Sequence, residues 1–524
     1  MASEGAVNTA KEFCRNEVYE ADVAFTRASL ADVPANDEGL RLLAANGNWS
    51  EVLALAEKLD AHVAAKARRH PTRYATVSLT TPACATRPAH TVPEKGTEAG
   101  HAASPPSIGV SPSFSPALED CSAGVVAPSP LSTDAAVRNA RLPYVLVQVT
   151  ANLKMRRIVA AKKVIDELGD VEGEGFRHPV TRESFAPFSL RLIAAFLPLY
   201  FGVPMEAQKK LHALLEECLL RERQCGAALH EMSTSGSSLD GATNTECVKR
   251  LLRMWTQRVF RVQRALLHVH IHMNQQSLAH CVVEQVLRID HEWHNTFRVL
   301  SDDLYQLRHV LHLQQIFCLA LHVGDAQKAR EVHRAIRQTA TELEASSAPT
   351  PPTALTNSAL LALVAESCDG FLAVFQGDYN EAVQLFRDVV DRCTAAKKAL
   401  KTGDLIGSGS AGLTSAADGT ISEHALRWWT LQEICANAQV SQVTCMAYCS
   451  DADPARLIQN LCTTMEDYAK AEPHVLCNSD PFVESMVRFY TLAGERHANL
   501  ERLSDLLEVF RCDRSSLPNL EALV

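Results

Sequence analysis

Residues 370–390, GFLAVFQGDYNEAVQLFRDVV, constrain the fold more than any other stretch of the chain. Leu372, Val374 and Phe375 line a first helix, and Gly377 and Asp378 make a tight turn into a second one. Ala382, Phe386 and Val389 then recur at i, i+4 and i+7, which places them on one helix face. A small Ala four residues before a large Phe allows close helix approach at one level and fills the gap at the next. Gly370 is the small residue one turn into the first helix. A lone helical pair cannot bury its apolar face, so the pattern predicts neighbouring pairs.

The chain supplies them. Leu40 to Leu59 reads as a first pair, with Gly47 and Trp49 where Gly377 and Tyr379 sit. Tyr144 to Leu168 has a β-branched start that suggests a strand, but Val159, Ile165 and Leu168 fit a second helix better. Pro187 and Phe188 open the next pair, in which Gly202, Ala207 and Leu211 repeat the Gly-to-Ala offset of Gly377 to Ala382. Ala279 with Val283 and Val286 follows, then Gly324, Asp325, Ala329 and Ile336. Further pairs are expected over 439–465, where Ala455 is a poorer close contact, and over 482–510. The close-contact alanines lie 50 residues apart (279 to 329) and 53 apart (329 to 382), against a period of about 34 for a tetratricopeptide unit. The Gly-Asp-x-x-x-Ala-x-x-x-Phe-x-x-Val pattern resembles that unit, with longer connections. The expected fold is all-α: a tetratricopeptide-like α-solenoid of about seven helical pairs.

Composition divides the chain. Residues 1–36 read as a flexible N-terminal arm and 37–69 as the first pair. Residues 70–140, rich in Pro, Ser, Thr and Ala, read as a disordered insertion, because such a sequence buries too little apolar surface to offset its ordering entropy. Residues 141–524 read as the solenoid, with loops near 233–245, 340–356 and 402–422. The net charge of −10 argues against a nucleic-acid partner. Sixteen irregularly spaced cysteines do not resemble a secreted disulfide framework and read as reduced, buried thiols. The start of the chain has no basic segment before an apolar run. The longest apolar stretch, Leu190 to Val203, contains Arg191 and is broken by Pro198, too short to span a bilayer. The expectation is a soluble, cytoplasmic protein.

Little points to chemistry. None of the sequences GxxxxGK[ST], GxSxG or HExxH occurs, and the GxGxxG match, Gly407 to Gly412, falls in the Gly/Ser-rich stretch read as a loop near 402–422 rather than between a strand and a helix, so no enzymatic activity and no cofactor are expected. On a helix, His268 and His272 share a face, with His270, His280 and His312 as further candidates, but no acidic or cysteine ligand has matching spacing. Cys445 and Cys449, with Cys435 or Cys462, lack the CxxC pair that a closed zinc site uses. Both groups read as packed side chains, and no metal is expected. One charged feature stands out. Arg250, Arg253, Gln257, Arg261 and Arg264 form a basic stripe opposite Leu251, Leu252, Trp255, Val259 and Val262. It is a candidate face for an acidic partner or an anionic membrane, weighed against a solvated face paired with acids such as Glu246.

The segment Pro187-Phe188-Ser189-Leu190-Arg191-Leu192 is the most specific motif. Together with the Gly39 to Trp49 stretch, Val323 to Ala329, the Ala382 and Phe386 pair and the end of the chain from Asp480 to Phe510, it resembles subunit 12 of the trafficking protein particle (TRAPP) complex. That resemblance implies a non-catalytic scaffold acting through protein–protein contacts in endoplasmic reticulum to Golgi traffic. The implied partners are the other TRAPP subunits and, indirectly, a Rab-type GTPase and vesicle or Golgi membranes. The implied location is peripheral to the intermediate compartment or Golgi. The alternative is a tetratricopeptide adaptor or co-chaperone gripping peptide motifs of other partners. Such a clamp needs Lys, Arg and Asn on successive first helices, where this chain has Gln314, Cys318, Ser367 and Phe371.

Overall fold

A computed structural model describes residues 30–45, 47–70, 133–177, 183–234, 240–297, 302–346, 356–404, 423–449, 454–471, 479–494, 498 and 500–505. Seven antiparallel pairs stack in order: α1 (Asp37–Ala45) with α2 (Trp49–Arg69), α3 (Thr133–Lys154) with α4 (Ile158–Leu168), α5 (Phe188–Phe196) with α6 (Pro204–Thr234), α7 (Asp240–His272) with α8 (Gln276–Phe297), α9 (Asp302–Val323) with α10 (Ala326–Ser346), α11 (Asn357–Gln376) with α12 (Tyr379–Asp404), and α13 (Glu423–Cys449) with α14 (Pro454–Ala471). α15 (Asp480–Leu492) follows. Among the described residues there is no strand, only one isolated bridge between Arg177 and Ser184. The molecule is an all-α, solenoid-like array.

Six of the turns inside the pairs share one backbone frame. Each is centred on a left-handed residue: Gly47, Arg156, Gly202, Asn274, Gly324 or Gly377, with φ between 55 and 85°. In every case the next residue donates its N–H to the carbonyl five positions back, at 2.8 to 3.1 Å, which closes the first helix. Gly-Asp suits this frame because Gly adopts φ > 0 without a Cβ clash and Asp caps the helix that follows. Asp325 Oδ1 accepts from the Lys328 N–H at 3.0 Å, and Asp378 Oδ1 accepts from the Glu381 N–H at 3.1 Å. Five residues after each turn centre stands a small side chain at most 1% exposed: Val52, Ala161, Ala207, Ala279, Ala329 and Ala382. In the central pair a Cβ on Gly370 would lie 2.7 Å from the Phe386 ring, so the two helices touch there through glycine. Gly226 makes a second such approach, since its Cβ would fall 2.2 Å from Trp293.

The core runs along the stack. Val283, Ile336, Phe386 and Val389 belong to one apolar cluster that extends from α8 to α13, and Leu211 to another that joins α5, α6 and α7. The first pair joins the second across the insertion: Arg141 donates to both Asp60 carboxylate oxygens at 2.8 and 2.9 Å. The turn of the second pair also reaches the last helix, because Arg156 pairs with Glu484 on α15.

Several boundaries differ from those the sequence suggests. Leu30 and Val33 pack against the first pair, so the arm is not loose up to residue 36; these apolar side chains cover the open end of the stack. α3 starts at Thr133, inside the expected insertion, because Ala136, Val137 and Ala140 are buried there. Helix also occupies 240–245, 340–346 and 402–404, where loops were expected. Buried Leu343 anchors one of these extensions. Residues 1–29, 71–132 and 405–422 lie outside the described residues, as does the Ala455 side chain. Among the described residues the helix long and apolar enough to cross a membrane is Asn357–Gln376, not Leu190 to Val203. Half of its residues are buried, Leu360, Leu361 and Val364 among them, as the core helix of the largest cluster.

Candidate functional site

The PFSLRL segment and the basic stripe, far apart in sequence, meet at the junction of α5, α6 and α7. Pro187 precedes α5 and Phe188 opens it, an arrangement that uses a residue without an N–H where the helix needs none. Leu190 is fully buried, and Arg191 is 4% exposed. Arg191 is held by two carboxylates. Its Nε and Nη2 donate to the Glu172 oxygens, both at 2.6 Å, and its Nη1 and Nη2 donate to the Glu217 oxygens at 3.1 and 2.7 Å. Arg177 donates to Glu172 and Glu217 from the outer side at 3.2 and 3.3 Å. Burial would lower the Arg191 pKa, but bonding to Glu172 and Glu217 raises it. Burial would raise Glu217, but Arg191 holds its carboxyl below the usual range. Bidentate guanidinium–carboxylate geometry of this kind is directional. It clasps the connection after α4 onto α5 and α6.

Phe188 carries the motif to α7. The guanidinium carbons of Arg258 and Arg261 stand 5.1 and 5.4 Å from its ring centroid, and Arg258 lies 4.4 Å from the Trp255 ring. Arg261 donates to Ser189 Oγ at 3.0 Å. Burial lowers the pKa of both arginines, and for Arg258 the neighbouring Arg191 and Arg261 add to the effect.

The stripe is therefore not uniform. Arg253 pairs with Glu246 at 3.3 Å. Arg250 is half-buried, while Gln257, Arg261 and Arg264 are exposed. Leu252, Val259 and Val262 are buried on the opposite side. Arg258, off the stripe by its helical position, is the residue that sequence spacing missed. Its signal was the pair of aromatic rings at Phe188 and Trp255, which only folding brings together.

The histidines disperse. His270 Nδ1 is 2.9 Å from Gln275 Oε1, His268 packs on Phe196 at 5.7 Å between ring centroids, and His272 is exposed. His312 lies against Phe260 at 4.9 Å, and burial with nearby Arg308 pushes its pKa down to about 3. Cys435, Cys445 and Cys462 are buried, and burial pushes the Cys445 and Cys462 thiols up to about 11. Among the described residues no three His, Cys, Asp or Glu side chains converge as a metal site would require. A groove of about 710 Å³ between α12, α13 and α14 is lined by Glu381, Gln384, Met446, Cys449, Asn460 and Leu461. No protein-family model matches the chain, and no curated protein is similar to it in sequence.

Proposed function

We propose that the chain is a non-catalytic scaffold subunit of a TRAPP-type vesicle-tethering complex, acting in endoplasmic reticulum to Golgi traffic. The observation that carries this reading is the PFSLRL segment, which opens the third helical pair and resembles the segment that opens a repeat in that family. The stacked array supports it further, because such arrays present extended surfaces to several partners at once. On this reading the partners are the other TRAPP subunits, with a Rab-type GTPase and vesicle or Golgi membranes engaged indirectly. The protein works from the cytoplasm, peripheral to the intermediate compartment or Golgi. Affinity comes from apolar anchors within a polar rim, with no bond chemistry and no cofactor.

Affinity purification of the tagged full-length chain, read by mass spectrometry, tests the proposal. The expected result is stoichiometric recovery of the small core TRAPP subunits. Recovery of none of them ends this reading.

A further inference from the structure

The junction of α5 and α7 gathers positive charge. Four guanidiniums gather there (Arg177, Arg191, Arg258 and Arg261), and Glu172 and Glu217 are carboxylates shared by Arg177 and Arg191. Both Glu217 oxygens are taken by Arg191, and Arg177 shares one of them. The Glu172 oxygens are held in the same way by the same two arginines. Burial pushes the neighbouring Cys218 thiol up to about 12, so it contributes no negative charge near neutral pH. Arg258 and Arg261 lie by the Phe188 and Trp255 rings, with Ser189 Oγ as a polar contact of Arg261 and, among the described residues, no carboxylate at salt-bridge distance. A guanidinium held over an aromatic ring can still direct N–H donors to a planar oxyanion.

We propose that this junction is a docking site for an acidic peptide segment of a partner protein, whose Asp or Glu carboxylates bind Arg258 and Arg261. Arg264, exposed one turn further on, extends the same surface. From Arg250 to Arg264 the helix rises about 21 Å, the reach of about six extended residues. A peptide therefore fits the strip, and its carboxylates supply anions to it. The chain's net charge of −10 repels an anionic membrane as a whole. A narrow peptide reaches the basic strip without confronting that field.

The proposal goes beyond the scaffold reading and does not depend on which complex the chain joins. Failure here leaves the co-purification result untouched. The test is fluorescence anisotropy of a labelled octaglutamate peptide titrated with the full-length chain. Wild type is compared with the double variant Arg258→Gln/Arg261→Gln. The charge-matched control is Arg330→Gln/Arg334→Gln on the exposed face of α10. The expected result is saturable binding that weakens as salt rises from about 50 to 200 mM. It should fall about tenfold in the site variant and less than about twofold in the control.

Circular dichroism checks the fold of each variant. If the Gln pair does not fold, Arg258→Lys/Arg261→Lys is read instead; it keeps the charge and loses the planar fork, so an intermediate loss of affinity is expected. Two further arms use inorganic phosphate and phosphatidylserine vesicles. No peptide binding by wild type, equal losses in the site and control variants, or site-dependent binding of vesicles or phosphate without peptide binding would each overturn the proposal.

Discussion

The turns inside the pairs and the connections between them are built on different principles. Six of the turns share one left-handed frame followed five residues later by a buried small residue. The connections between pairs instead vary in sequence length, from a few residues after Phe297 to more than sixty between Arg69 and Thr133. The turns are specified locally, because the backbone hydrogen bonds of the turn set the angle between the two helices. The junctions between pairs are specified by side-chain packing, such as the Arg191 clasp and the Asp60–Arg141 bridge. Loop-closure entropy grows slowly with length, so the connections accept insertions at small cost. An array of this kind varies between its pairs and stays constant within them.

The comparison breaks most readily at the clasp. Arg191→Met leaves Glu217 and Glu172 without their central cation, and we expect a loss of about 3 kcal/mol in urea unfolding. The connection after α4 should then become the first site of protease cleavage. An unchanged midpoint would mean that packing between pairs does not depend on this clasp.

Glu222 sharpens the same side of the comparison. It is 2% exposed, and burial pushes its carboxyl up to about 7, despite a hydrogen bond from Thr256 at 2.8 Å. Nearby Asp290 raises it further, while Arg308 lowers it. A pKa raised in the folded state means that the stabilising contribution is complete at low pH and is lost as pH rises through the folded value. Against Glu222→Gln, wild type should therefore lose up to about 3 kcal/mol between about pH 4.5 and 7.5. Parallel stability–pH curves for the two proteins would contradict this.

Inside the pairs the effects are smaller. Gly370→Ala places a methyl group against Phe386, and overpacking at this level costs about 2 kcal/mol; thermal melting gives the number. Gly377→Ala keeps open space around the new Cβ, but forces φ of 83° on an L-residue, for about 1 kcal/mol. Smallest, and opposite in sign, is Asn274→Gly. It relieves a left-handed Asn at φ 58° and should stabilise by about 0.5 kcal/mol. Destabilisation instead would show that Asn274 serves a purpose other than the turn.

Much of the array was legible in the order of residues. Gly-x4-Ala offsets mark three of the six turns, and Gly47 with Val52 a fourth of the same form, since a left-handed turn and a close helix contact demand particular residue types. The turns at Arg156 and Asn274 escaped that reading because neither centre is glycine, although Ala161 and Ala279 stand at the expected offset beyond them. The early start of α3 was hidden by composition. Thr, Asp and Ala are weak signals until burial of Ala136 and Val137 holds them in a helix.

The sequence by itself determined the helical class, the pairing of neighbours and the turn chemistry, all of which depend on residues within a few turns of one another. Tertiary structure alone decided where charge is compensated. Arg191 is 26 residues from Glu217, and Ser189 is 72 from Arg261. No local period records which guanidinium meets a carboxylate and which is left on an aromatic ring. PFSLRL read as a label in the sequence; in the fold its Arg191 forms the clasp, while Arg258 and Arg261 lie by aromatic rings with no carboxylate at salt-bridge distance among the described residues.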